Sequence, residues 1–249
     1  MDDSQFIPGI QATREALAHG VGIHEIWIIK EKKGSRIDEV LRVAGEKRIP
    51  VIVKKRPYLD QLFPGTTHQG IVALAEKFAY ADLDQLIHTS TRDPHHALIV
   101  AADHITDEGN LGALIRTSAF FGAHGLILPK DRSARVTGKV LKRSSGAGLY
   151  LPVARVTNLR NTLDRLIKKG FWIIGAAGEG PVSIYRFDWI RDVVLILGRE
   201  DRGLSPSVRN QCHQLVSIPS MGPLDSLNVS VAGGVVLSEI IRQREKAAL

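Results

Sequence analysis

Residues 216–232 combine the residue types of a ligand-binding loop. The apolar run at the start of this stretch is broken by two prolines and a glycine. Ser226-Leu227-Asn228 then leads into a small-residue segment, residues 229–241. This order predicts a strand, a tight loop and a helix that begins on hydroxyl and amide side chains. Helix N-termini and strand-end loops expose N–H and C=O groups, so we expect a pocket lined by main chain that suits a nucleoside-like ligand.

A second group of polar side chains follows the first apolar run of the C-terminal half. Asn110 is suited to capping a helix, and Arg116 lies further along the same helical pattern. As a structural interpretation, Asn110 is a cap and Arg116 a solvated helix residue; the functional alternative is that both serve a site. His104, Asp107 and Glu108 have metal-binding side chains, but no matching His or Cys spacing surrounds them. We therefore predict no metal site.

Two further loops contain closely spaced glycines. In residues 197–206, Gly198 and Gly203 permit close approach of the main chain. Ser205-Pro206 is typical of a helix start, with Ser205 as cap, although a plain strand-to-helix turn is the structural alternative. Residues 175–180 lack the G-x-G-x-x-G spacing of a dinucleotide loop, so we interpret them as a loop that borders the ligand.

These loops must be positioned by strands. Apolar runs at residues 97–102, 193–197 and 215–218 each end in a loop that precedes a helix, and further strands are predicted at 125–128 and 171–174. Nearly continuous apolar strands between helices are typical of a parallel sheet covered on both faces. Because ligands bind outside the carboxyl ends of such strands, we expect the three strand-end loops to converge.

The N-terminal part predicts a separate small α/β domain at residues 1–76, followed by a linker at 77–95 and a second domain at 96–249. Three apolar runs alternate with helical patterns, at residues 26–29, 49–53 and 70–75. Polar residues and a proline interrupt the periodicity before the second domain. Basic residues flank the second run, and they fit an RNA-facing surface or a solvated edge equally well: Lys47, Arg48, Lys54, Lys55 and Arg56.

Overall charge favours a polyanionic partner. The net charge is +7 and the sequence pI is about 9.6. Lys and Arg placed at phosphates release counterions, which strengthens nucleic-acid binding. Residues 130–143 carry six basic residues and one acidic residue, so we predict contact with RNA phosphates. Aromatic content of 6% argues against a single-strand binder built mainly on stacking platforms.

Cysteine usage and hydropathy bound the cellular context. The single cysteine, Cys212, excludes an intrachain disulfide and a cysteine-rich metal site, and we interpret it as a structural thiol. No apolar run approaches the length that crosses a bilayer. The acidic N-terminus lacks the basic and apolar regions of a signal peptide, so a cytoplasmic location is expected.

Three motifs resemble those of the SpoU/TrmH branch of the SPOUT RNA methyltransferases, in the order of that family. The third motif is I-P-x-x-G-x-x-x-S-L-N-V-S-V-A and the second is L-G-x-E-x-x-G-L-S, with Asp201 where glycine is common. The first places Asn110 six residues before Arg116. The N-terminal part, with F-x-x-G-x-x-A-x-x-E-A-L and H-Q-G-I-V-A, is similar to the L30e-like substrate-binding domain of ribosomal RNA members.

The resemblance implies an α/β SPOUT domain with a parallel sheet and a C-terminal trefoil knot. It also implies a homodimer, with each site completed near the partner, and S-adenosylmethionine as methyl donor to a ribose 2′-hydroxyl. In the family pattern Arg116 is the candidate activating residue. The other catalytic candidates shape the site: Asn110, Glu200, Ser226 and Asn228. The cofactor is expected on the main chain near four residues: Gly198, Gly203, Ile218 and Leu227.

The likeness is greatest to bacterial 23S rRNA guanosine 2′-O-methyltransferases, which predicts an rRNA partner and neither DNA nor a membrane. Two alternatives stay open. A tRNA ribose methyltransferase of the same family is disfavoured by the separate N-terminal domain. A catalytically silent RNA-binding factor for ribosome assembly is disfavoured by the intact motif residues Asn110, Arg116, Glu200 and Asn228.

Overall fold

The protein forms two compact α/β units in a computed structural model that describes residues 4–30, 34–65, 67–92, 95–224 and 226–247. The first unit comprises Met1–Ala79 and Arg135–Tyr150, and the second comprises Tyr80–Ala134 and Leu151–Leu249. The α/β class predicted from the sequence is confirmed. Residues 135–150, which the sequence analysis included in the second domain, pack with the first unit.

The elements alternate along the chain. The strands are β1 (Ser4–Pro8), β2 (Ile23–Ile29), β3 (Val51–Lys54), β4 (Ile71–Glu76), β5 (Leu98–Ala102), β6 (Gly125–Pro129), β7 (Val153–Val156), β8 (Trp172–Ala176), β9 (Val182–Ser183), β10 (Val193–Leu197) and β11 (Gln214–Ser217). The helices are α1 (Ile10–Ala18), α2 (Ser35–Glu46), α3 (Arg56–Leu62), α4 (Leu83–Ser90), α5 (Glu108–Phe120), α6 (Gly138–Arg143), α7 (Leu159–Lys168), α8 (Pro206–Arg209) and α9 (Val229–Ala247). A short 3₁₀ turn spans Ala147–Leu149.

The first unit is built on a four-stranded mixed sheet in the order β1-β4-β2-β3. The pairs β1–β4 and β4–β2 are antiparallel, and β2–β3 is parallel. Helix α6 lies so close to β1 that a Cβ on Gly138 would be 1.5 Å from the Phe6 carbonyl oxygen. That contact requires glycine and explains why a segment far along the chain belongs to this unit.

The second unit contains a seven-stranded sheet in the order β7-β6-β5-β10-β8-β11-β9, in which every pair is parallel. This confirms the predicted parallel sheet. Strands β5, β6 and β10 are buried at every residue, as their continuous apolar sequences require. The segment predicted as a linker contains α4, whose Leu86 and Ile87 are buried in the core of this unit.

Strand register brings the motif loops to one edge of the sheet. Leu197, the last residue of β10, pairs with Ala102 at the end of β5 and with Ala176 at the end of β8. Ala176 also pairs with Val216 near the end of β11. Since these four strands are neighbours, the loops that follow them leave the sheet side by side.

Helix α9 extends beyond the segment predicted from sequence, and Arg244 anchors its end. The guanidinium donates hydrogen bonds to the carbonyl oxygens of His96 at 2.6 Å, Arg191 at 2.8 Å and Ala97 at 3.2 Å. Burial lowers the pKa of Arg244 to about 10, still far above neutrality. A cation that bonds several main-chain oxygens holds the last turns of the helix against the sheet.

Among the described helices, none has the length and apolar content needed to cross a membrane.

Candidate active site

A cavity of about 520 Å³ opens at the carboxyl ends of β8, β10 and β11. Six of the residues predicted for the site line it: Gly198, Glu200, Gly203, Ile218, Ser226 and Leu227. The loop interpreted as bordering the ligand contributes residues 176–179. The wall combines glycine main chain with apolar side chains, which matches a ligand that has a flat apolar ring and polar edges.

A tight turn after β10 forms one wall of the cavity. Arg199 and Gly203 exchange two main-chain hydrogen bonds, of 3.0 and 2.9 Å, and Gly203 has a φ of 61°. A Cβ on Gly198 would lie 2.3 Å from the Gly203 carbonyl carbon, so glycine is required there by close approach of main chain. The turn projects Glu200 from its tip.

Asp201, which replaces the glycine common in related motifs, fits this turn without strain. It is not among the residues with positive φ. Its carboxylate accepts hydrogen bonds from Arg199 Nε at 2.9 Å and Nη2 at 2.7 Å. These bonds hold the pKa of the Asp201 carboxyl below its usual range. The substitution therefore adds a bidentate ion pair with Arg199, which lines the cavity.

The three motifs meet at one carboxylate oxygen. Glu200 Oε1 accepts hydrogen bonds from Asn110 Nδ2 at 3.1 Å, from Asn228 Nδ2, and from the main-chain N–H of Val229 at 3.2 Å. Asn228 Nδ2 also donates to Asn110 Oδ1 at 2.8 Å. The bond from the Val229 N–H places the Glu200 carboxylate at the N-terminus of α9, where the helix dipole favours a negative charge. The arrangement fixes both amides beside the cavity.

The remaining amide oxygen also has a defined role. Asn228 Oδ1 accepts from the Ser230 N–H at 3.0 Å and from its hydroxyl at 2.6 Å. The Asn228 side chain thus bridges the start of α9 and the Glu200 carboxylate. Ser226 is exposed at the rim, and Leu227 keeps 46% of its surface exposed. A ligand in the cavity can therefore cover Leu227.

Asn110 does not cap α5, contrary to the structural interpretation from sequence. The N-cap is Asp107, whose carboxylate accepts the Asn110 main-chain N–H at 2.7 Å. The short Asp107 carboxylate reaches forward to this N–H of the first turn, as an N-cap side chain does. The Asn110 side chain is thereby left to bond Glu200.

Asp103 is a site residue that sequence reasoning missed. Its buried carboxylate accepts the Ser205 main-chain N–H at 2.6 Å and bonds His104 Nδ1, also at 2.6 Å. Asp103 therefore ties the loop after β5 to the turn after β10. The sequence signal was an acidic residue directly after a fully buried strand. Ser205 does occupy the N-cap of α8 as predicted, but its side chain makes no capping bond.

His104 has a φ of 59° and is held by Asp103. In the described part of the chain, no group of three or more His, Cys, Asp or Glu side chains is arranged to hold a metal ion.

Arg116 follows Asn110 on the same helix, α5. It is exposed on α5 and does not line the cavity. Six residues of helix carry it about 9 Å beyond Asn110 along the axis. Among the catalytic candidates, side-chain hydrogen bonds join Asn110, Glu200 and Asn228 beside the cavity.

Cys212 is half-buried and its thiol lies 3.5 Å from the Val208 carbonyl oxygen. Burial raises the pKa of Cys212 to about 11, so the thiol stays protonated at neutral pH. A protonated thiol is a weak nucleophile.

Glu200→Gln is expected to lower about tenfold the turnover of the methyl transfer that the motif resemblance implies. The amide keeps one acceptor but loses the charge, and hydrogen bonds to charged groups contribute about 1.4 kcal/mol more than neutral ones. Turnover and thermal unfolding should be measured together, with Glu245→Gln on exposed α9 surface as control. Unchanged turnover in a folded Glu200→Gln protein would contradict the organising role of this carboxylate.

Sequence comparison matches two segments of the chain to known families. Residues 97–238, more than half of the chain, match the SpoU rRNA Methylase family. The chain belongs to the SpoU family. Residues 6–81 match the family of RNA 2′-O ribose methyltransferase substrate-binding domains. The SpoU-family protein is therefore an RNA 2′-O-ribose methyltransferase, as its three motifs predicted.

Relatives match this SpoU-family chain over almost its whole length. An uncharacterized tRNA/rRNA methyltransferase of Mycolicibacterium gilvum is 38% identical over 98% of the chain and 78% of that protein. The 23S rRNA (guanosine-2′-O-)-methyltransferase RlmB of Pseudomonas putida is 37% identical over 98% of the chain and 99% of that protein. The SpoU methyltransferase AviRb of Streptomyces viridochromogenes, solved with AdoMet, is 28% identical with a TM-score of 0.81, covering 98% and 92% of the two chains.

Proposed function

We propose that this protein transfers a methyl group from S-adenosylmethionine to the 2′-hydroxyl of a guanosine in 23S ribosomal RNA, in the cytoplasm. The observation that carries the proposal is the meeting of Asn110, Glu200 and Asn228 beside the cavity lined by the second and third motifs. The guanosine and 23S rRNA assignment is supported by the match with the Pseudomonas putida enzyme, which covers nearly all of both chains.

The cavity fits S-adenosylmethionine. Ile218 and Leu227 offer apolar surface for an adenine ring, and the glycine-rich turn at Gly198 and Gly203 lets a ligand approach the main chain. When bound, S-adenosylmethionine supplies an electrophilic methyl group on its sulfonium. We propose that these four residues hold it, largely through main-chain groups, which explains why the wall carries glycine and aliphatic residues.

The chain's own residues must position and polarise the ribose hydroxyl. A hydroxyl is a poor nucleophile, so its proton has to be removed or polarised during attack. We assign the polarisation to the Arg116 guanidinium, because a cation favours the developing alkoxide. The guanidinium is already protonated, so the hydroxyl proton leaves to solvent water as the O–CH3 bond forms and the S–CH3 bond breaks. The Glu200 carboxylate holds the Asn110 and Asn228 amides in one orientation, and the Ser226 hydroxyl at the rim orients the substrate.

A homodimer and a C-terminal trefoil knot are proposed on family membership. For the dimer, the packed pair α5 and α9 leaves Phe120 81% and Val231 51% exposed, as association surfaces do. A second copy on this surface would cover the helix that carries Arg116 and complete the site near it. A monomeric mass in sedimentation equilibrium would contradict the dimer, and an unthreaded chain trace in a crystal structure would contradict the knot.

RNA is the proposed partner of both units. The first unit matches the substrate-binding family and contains the basic residues around β3. The predicted phosphate-contacting run is divided, with residues 130–134 in the second unit and 135–143 in the first. Deleting residues 1–94 would test this poorly, because it removes α4 and uncovers the core that Leu86 and Ile87 fill.

The test is to map 2′-O-methyl groups in RNA from cells with and without this protein. We expect one guanosine of 23S rRNA to lose its methyl group in cells that lack the protein, and purified protein to restore it with S-adenosylmethionine. Loss of a methyl group in tRNA instead would overturn the substrate assignment. An unchanged map, with no transfer in vitro, would overturn the activity.

A further inference from the structure

Four aromatic side chains lie together on the side of the first unit's sheet that α3 covers. The ring centroids of Phe6 and Trp27 are 5.1 Å apart, those of Phe6 and Phe63 are 5.4 Å apart, and those of Trp27 and Tyr58 are 5.9 Å apart. Trp27 is buried, but Tyr58 keeps 44% of its surface exposed. The Tyr58 ring therefore faces solvent on one side and packs against the buried Trp27 on the other.

A lysine ammonium lies against the same rings. Lys54 Nζ is 4.8 Å from the ring centroid of Trp27 and 5.3 Å from that of Tyr58. The attraction of both rings holds the flexible side chain at this place. The Lys54 ammonium has three N–H donors. The two rings attract its charge without accepting an N–H···O hydrogen bond, so the ammonium can also donate to a phosphate oxygen.

The surrounding charge favours an anionic partner. Lys55 and Arg56 follow directly and are both exposed. Two carboxylates lie nearby: Glu25 accepts from Trp27 Nε1 at 2.7 Å, and Asp60 bonds His68 Nε2 at 2.8 Å. They keep their charge, but the cations of Lys54, Lys55 and Arg56 outnumber them. A net positive surface beside an exposed aromatic ring combines the two groups that recognise a nucleotide, one for the phosphate and one for the base.

We infer that Tyr58 and Lys54 bind one unpaired nucleotide of the RNA substrate, with its base stacked on the exposed face of Tyr58 and its phosphate at Lys54. The inference rests on the proposed RNA substrate and adds a requirement for an unpaired base. Bases inside a duplex are stacked on their neighbours and cannot reach a protein ring, whereas bases in loops can. A single stacking site agrees with the low aromatic content of the chain.

Tyr58 is a suitable test position because α3 does not depend on it. The residue that anchors this helix is Leu59, which is fully buried in the cluster with Trp27. Removing a half-exposed ring beside it should leave the unit folded. Tyr58→Phe keeps the stacking face and removes only the hydroxyl, so it serves as the conservative variant.

The experiment compares two fluorescein-labelled probes on the full-length protein: a stem–loop RNA with an unpaired loop, and a blunt duplex of the same stem. We expect wild type to bind the stem–loop more tightly. Tyr58→Ala should weaken stem–loop binding about tenfold and leave duplex binding unchanged, as loss of one base–aromatic stack predicts. Tyr58→Phe should bind the stem–loop like wild type. Lys54→Ala should lower the affinity for the stem–loop and reduce the salt dependence of this affinity.

The control is Tyr185→Ala, which removes a tyrosine of the second unit that is 57% exposed. Equal stem–loop affinity of Tyr58→Ala and wild type overturns the inference, and so does an equal loss for both probes. If Tyr58→Ala unfolds, Lys54→Ala becomes the deciding variant, and an unchanged affinity of Lys54→Ala for the stem–loop overturns the inference. Methyl transfer to ribosomal RNA by the wild type tests the proposed function separately. A protein without this activity can still show the stacking effect, and an active protein can lack it.

Discussion

Gly198→Ala is expected to reduce S-adenosylmethionine affinity by at least about tenfold, or 1.4 kcal/mol. The added Cβ would lie 2.3 Å from the Gly203 carbonyl carbon and 2.6 Å from the Leu204 nitrogen. Main chain cannot yield as a flexible side chain can, so the Arg199–Gly203 turn must open, at a cost of about 1–3 kcal/mol. The turn carries Glu200 and lines the cavity, so its opening removes both the pocket wall and the hydrogen-bonded amides.

Binding of S-adenosylhomocysteine by calorimetry and thermal unfolding of the same sample measure this effect. Gly222→Ala is the matched control, because Gly222 lines the same cavity and a Cβ there would meet nothing within 4 Å. Neither glycine has a positive φ, so backbone strain does not separate the two variants. Equal cofactor affinity of folded Gly198→Ala and Gly222→Ala would show that the ligand binds elsewhere.

Arg116→Ala is expected to abolish methyl transfer, with turnover lowered at least about 100-fold. A fixed guanidinium is worth most as negative charge develops on the attacking oxygen, so its loss acts on turnover rather than on ground-state binding. Cofactor affinity should fall less than about tenfold, because Arg116 lies on α5 outside the cavity wall.

Single-turnover methyl transfer and cofactor calorimetry on the same preparation test this separation. Arg160→Ala, an exposed arginine on α7, controls for loss of one positive charge. Near-normal turnover of folded Arg116→Ala would remove Arg116 from the mechanism. A parallel loss of cofactor binding would place it in the pocket instead.

The positions of the main strands of the second unit and of the loops that follow them were predicted from local pattern. The continuous apolar runs that became β5 and β10 need burial on both faces, which a covered parallel sheet supplies. Short or irregular strands were missed. β1 ends on Pro8 and β9 has two residues, so neither shows a period, and both form only because a neighbouring strand offers hydrogen-bond partners.

The sequence by itself determined the family, the α/β class and the segments that line the site, because those properties reside in residue types and their spacing. Tertiary structure decided which groups touch. Asp103 and Ser205 are 102 residues apart, and the bond between them exists only because β5 and β10 are neighbours. The assignment of residues 135–150 to the first unit likewise depends on the close fit of Gly138 against Phe6. Local pattern encodes which face of an element is apolar, whereas pairing over long separations depends on the packing of the whole unit.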